Sequence, residues 1–186
     1  MVVPTDQTQT QTATLKLDAA VTPTRSLLFY TLTATIPIAV ITAVLLFTNL
    51  SHPNLRILAT IAAITSLVGL GRLLYEMTLD IAGYPDYKLP IWSVFYLIVY
   101  LISGFAFLFF AMHEGDPGRY FGGLSTTNPK LAFLDTTYIS LSNYIDASPD
   151  PAITFKTRLP RFLAVIQGVI SLFINVVIIT KFVNTF

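Results

Sequence analysis

At 186 residues the chain has room for one membrane domain and no separate soluble one, and its composition sets the solvent. Hydrophobic residues make up 54% and charged residues only 11%, about half the share usual for soluble domains. A net charge of +1 gives no reason to expect a nucleic-acid partner, and the absence of cysteine excludes disulfides and thiolate chemistry.

Three stretches contain no Asp, Glu, Lys or Arg over spanning length: Ser26–Leu55, Leu89–Met112 and Phe162–Thr180. Roughly 20 apolar residues cross a hydrocarbon core about 30 Å thick, so each can supply a span. The reading is an integral membrane protein whose first partner is the lipid bilayer.

Taken in order, residues 1–25 are Thr- and Gln-rich with few large apolar side chains, and read as a mobile tail. Residues 26–82 read as a peripheral two-helix transmembrane hairpin. Its first span runs about Leu27–Thr48, with Pro37 expected to bend it. A tight turn over Asn49–Asn54 leads to the second span, about Leu55–Asp80. Ala59, Ala62, Ala63, Ser66, Gly69 and Gly71 suit that span to close helix packing. Arg72, Glu76 and Asp80 follow at intervals of four, on one helical face. Charges inside a membrane helix raise a functional hypothesis, provided they lie deep. The plainer alternative has Arg72 snorkelling near the surface and pairing with Glu76. His52 and His113 flank apolar segments and read as solvated interfacial histidines rather than metal ligands.

Residues 83–186 form the second unit. A third span, about Pro90–Met112, is rich in Phe and Tyr. About 18 polar residues, His113–Lys130, follow as an external turret. The fourth span runs about Arg161–Lys181. Four spans place both termini on one side. The basic residues outside the spans weakly favour termini on the outer side.

Between the third and fourth spans lies Phe133–Pro149, FLDTTYISLSNYIDASP, polar and aromatic between two apolar segments. Irregular backbone at membrane depth is tolerated only inside protein or against a wet cavity. If this stretch enters the bilayer it lines something wet; if not, it is an ordinary loop.

This region resembles the pore module of the potassium-channel superfamily over roughly the last 95 residues. Phe133-Leu134-Asp135, with Tyr138 and Ser140, is similar to the opening of the family's pore helix. Asp146, Ser148 and Pro149 match the acidic residue and Ser-Pro that commonly follow the filter. Arg161–Val165 resembles the start of the inner helix. The resemblance implies an all-α membrane fold: four transmembrane helices, with a re-entrant pore helix and loop between the third and fourth. It also implies a homotetramer, since one chain supplies one pore loop, and termini in the cytoplasm with His113–Lys156 outside a cell membrane. Asp135 is expected to cap the pore helix.

The departure lies in the filter. Potassium filters stack backbone carbonyls along a glycine-containing strand, whereas the corresponding Ser142-Asn143-Tyr144-Ile145-Asp146 has no glycine and is several residues short. Asp146 would either ring the axis with carboxylates or be neutralised by Lys156, Arg158 or Arg161. On the inner helix Gln167, Ser171 and Asn175 recur every four residues. That polar stripe faces either a pore or other helices.

The leading expectation is a tetrameric cation channel with weak discrimination between potassium and sodium, monovalent cations being its permeant ions and no cofactor being needed. The alternatives are a non-conducting channel-like subunit and a four-helix membrane scaffold. An enzyme is not expected, because no nucleophile–base pairing, metal-ligand spacing or phosphate loop is present.

Overall fold

The computed structural model describes residues 35–48, 50–83, 91–147 and 151–183, of which 80–83, 91–92 and 177–183 are described by their backbone alone. The expected N-terminal tail, the start of the first span, the Asp80 side chain, the aromatic turn at 84–90 and the Ser148-Pro149 pair lie outside what is described.

Five helices account for most of the described chain: α1 (Thr35–Phe47), α2 (His52–Gly83), α3 (Ile91–Gly115), α4 (Pro129–Tyr144) and α5 (Arg158–Val183). A two-residue antiparallel ribbon joins β1 (Phe121–Gly122) to β2 (Thr154–Phe155), pairing Phe121 with Phe155 and Gly122 with Thr154. Three helices, α2, α3 and α5, are long and apolar enough to cross a membrane. α1 is described for only 13 residues, about 20 Å of helix, so of the expected first span, Leu27–Thr48, only this shorter stretch is described. Pro37 lies within the described part of α1.

The main packing seam joins α2 to α3. Ala59, Ala62, Ala63 and Ser66 of α2 are buried there, as their small size suggests, while Gly71 meets open space. Across the seam a Cβ at Gly104 would lie 2.9 Å from Leu67 Cδ2 and 3.2 Å from Ser66 Cβ. The helices approach closely here, where α3 presents a glycine to α2. α1 joins through Thr35 Oγ1, 3.0 Å from the Tyr100 hydroxyl.

The opposite faces are apolar too. Ile57, Ile61, Ile64 and Val68 of α2 and Phe162, Val165, Val169, Leu172 and Val176 of α5 are exposed. In water such faces would drive association; in hydrocarbon they are matched to their solvent. The class that emerges is an all-α membrane protein.

Aromatic packing closes the ribbon end. Phe109 meets Phe121 edge-on at 5.8 Å, Phe155 sits 5.8 Å from Phe121, and Phe107 and Phe110 both pack on Phe133 of α4. Gly123, at φ 86, is required there: a Cβ would run into the Ala152 carbonyl.

His113 is buried beneath this end, contrary to its expected solvation. Its Nε2 lies 2.9 Å from the Ser125 carbonyl, which makes Nε2 the protonated nitrogen. Nδ1 is buried with no hydrogen-bond partner among the described residues. The reason is periodicity: His113 follows Phe109 by four residues and shares its face, over which the turret folds. His52 does remain half exposed, with Nδ1 2.6 Å from Oε2 of the buried Glu114.

Candidate functional site around the half-height helix

The elements surrounding α4 place it across half the height of its neighbours. Its N-cap is Asn128, in extended backbone, whose Oδ1 accepts from the Lys130 and Leu131 amides; Pro129 takes the first helical position. Asn followed by Pro is a helix-start signature, with the cap satisfying orphan amides and proline lacking one. Asp135, expected as the cap, instead lies in the second turn, half buried. The helix starts earlier because Asn128-Pro129 is the stronger start signal.

Sixteen residues extend about 24 Å. The start lies at the ribbon end, since Ser125, bonded to the Asn128 amide, also meets His113 near the end of α3. Near its other end, Ser140 Oγ donates to the Ile102 carbonyl at 2.8 Å, at the midpoint of α3. Ser171, at the midpoint of α5, donates to the Tyr144 carbonyl at 2.9 Å. By Thr154 the chain is back at the ribbon.

The polar stripe of α5 meets α4. Gln167 is fully buried and its Nε2 donates to both the carbonyl and Oγ of Ser140 at 2.8 Å. Its Oε1 accepts from Asn143 Nδ2 at 3.3 Å, and the Tyr144 hydroxyl donates to Asn175 Oδ1 at 3.2 Å. Of the two expectations for the Gln167, Ser171 and Asn175 stripe, contact with another helix is the one seen within the single chain. Within one chain their polar groups are committed to α4, and the faces of α5 left open are apolar.

The candidate filter residues close α4. Ser142, Asn143 and Tyr144 are the last turn of α4, not a strand. Ile145 closes the helix at φ −88, Asp146 takes the left-handed conformation at φ 55, and the Ala147 amide returns to the Ser142 carbonyl at 2.9 Å. That is a Schellman ending. Because α4 begins at Pro129, four residues before Phe133, the candidate filter residues Ser142–Tyr144 serve as its last turn.

Asp146 is exposed, and its carboxylate makes no ion pair among the described residues. Two of its three expected neutralisers are engaged at the ribbon: Lys156 Nζ with the Gly118 carbonyl and Arg161 with the Phe155 carbonyl. Arg72 does pair with Glu76, Nε to Oε1 at 3.0 Å, along one helix face, as the plainer reading of those charges holds. Sequence reasoning passed over Asn128 and Glu114. The Asn-Pro pair signals the first, but no local pattern marks the second.

The site thus belongs to a membrane bundle with a half-height helix packed on α3 and α5. In comparisons with known proteins the chain matches no family model, no curated protein and no solved structure.

Proposed function

We propose that this chain is one subunit of a homotetrameric pore-loop cation channel with weak discrimination between potassium and sodium, set in a cell membrane with both termini cytoplasmic. The observation that carries the reading is the depth of α4: it starts at the ribbon end and stops at the midpoints of α3 and α5. Outer helix, half-height helix, return segment and inner helix follow in the order that the potassium-channel pore module uses. Irregular backbone at that depth is tolerated where it lines a wet space.

The end of α4 suits a cation. Its C-terminus carries the negative end of the helix dipole, with the exposed carboxylate of Asp146 just beyond it. Weak discrimination follows from the backbone. The Ser142 and Tyr144 carbonyls are bonded to Ala147 and Ser171, so they offer no ladder of free oxygens, and side chains rim the opening instead.

A second reading, a non-conducting channel-like subunit, draws on a different observation. The polar stripe of α5 is satisfied inside one chain, leaving an apolar outer surface on α5. Purified protein in planar bilayers under opposed sodium and potassium gradients separates the two. The channel reading expects a current with a reversal potential near zero, and Asp146→Asn lowering cation over anion preference. Reversal tracking potassium alone rejects the weak-discrimination argument, and silence in every preparation supports the second reading.

A further inference from the structure

Two clefts open on the α2–α3 face near the ribbon end, and they share Arg56. One, of about 520 Å³, runs from His52 and Arg56 down to Ile57 and Ile61. The other, of about 390 Å³, lies on the far side of Arg56 along Leu108, Ala111 and Met112. The guanidinium rests on the last residue of α3, where a Cβ at Gly115 would come within 3.0 Å of Nε and 3.1 Å of Cζ. Arg56 makes no side-chain hydrogen bond or ion pair among the described residues. The carboxylates nearby are already engaged: Glu114 with His52 and Asp116 with Arg119.

We propose that this place binds one anionic diacyl phospholipid, its phosphate on Arg56 and an acyl chain in each cleft. A free guanidinium is a forked donor suited to phosphate. Arg56 lies one turn into α2, close to the positive end of that helix's dipole, which adds favourable potential for an anion. Below it the first cleft turns apolar at Ile57 and Ile61 and the second at Leu108, Ala111 and Met112, while Asp116, Arg119 and Tyr120 rim the second cleft at the helix end. A soluble phosphate would use the same guanidinium but would leave the clefts unfilled, so the lipid is the occupant that accounts for both halves of the site. Nothing in this assignment depends on conduction. It uses a face of the molecule that the pore reading does not.

The test is lipid retention by the purified full-length chain, measured by native mass spectrometry after exposure to equimolar phosphatidylglycerol and phosphatidylcholine. Wild type is expected to keep one phosphatidylglycerol with about tenfold preference, as one charge-assisted contact supplies. Arg56→Gln should bring the preference close to parity. Gly115→Ala keeps the charge but displaces the guanidinium, and should weaken the preference. Arg158→Gln, at the start of α5, should leave it unchanged. Equal retention of both lipids by wild type, or full preference in Arg56→Gln, overturns the proposal. Glycerol 3-phosphate in place of lipid identifies the other source: Arg56-dependent thermal stabilisation by it, without lipid preference, assigns the site to a soluble phosphate and overturns the lipid.

Discussion

Asp146 carries two separable properties, a left-handed backbone and an exposed carboxylate. The backbone costs about 1 kcal/mol relative to glycine, so Asp146→Gly should stabilise the chain by about that amount, read as a higher Tm in detergent. Asn tolerates the same conformation without the charge, which makes Asp146→Asn the cleaner test of ion preference. If glycine lowers the Tm, the left-handed ending is wrong. Gln167 is a second residue whose role can be measured. Gln167→Leu would remove its bonds to the Ser140 carbonyl and Oγ and to Asn143 Nδ2, and membrane hydrogen bonds of this kind are worth about 0.6–1.7 kcal/mol. A Tm lowered by a few degrees is expected. An unchanged Tm would return Gln167 to an open face.

At the scale of the element, α4 is the part of the fold that depends most on its two ends. Asn128→Ala removes the acceptor for two amides and should cost about 1 kcal/mol, seen as faster hydrogen exchange over 130–134 than over 139–143. Uniform exchange across the helix would contradict capping by Asn128. The start of α4 was legible in Asn128-Pro129, a local signal. Its end was not. Ser142–Tyr144 have no strong preference between helix and strand, and contacts from Gln167 and Ser171, more than 20 residues away, hold them in the helix. The same limit applies to α5: a period of four marks a polar stripe, but cannot say which neighbour it meets.

For the whole molecule, the proposed tetramer places α5 nearest the axis and α2 outermost. Cysteine at Val169, exposed on α5, should crosslink into a ladder reaching four chains, whereas cysteine at Val68 on the outer face of α2 should not. Saturation at a dimer or trimer rejects the fourfold arrangement. Orientation is read separately at Thr126, exposed in the turret. Thr126→Cys should label from outside intact cells, and labelling only after permeabilisation would place the turret, and with it the ribbon end, in the cytoplasm.

The sequence by itself determined the solvent and the long helices, because hydrophobic length and freedom from charge are local quantities that a bilayer reads directly. It also marked the face of α2 suited to close packing, through small residues at helical spacing, but not that α3 is the helix it meets. Tertiary structure decided the rest. It buried His113 under a folded turret, held Glu114 against His52 and turned the α5 stripe onto α4. Those outcomes rest on which surfaces meet across the bundle. In a chain whose helices are apolar on nearly every side, hydrophobic periodicity does not specify that, and only the few polar groups needing partners do.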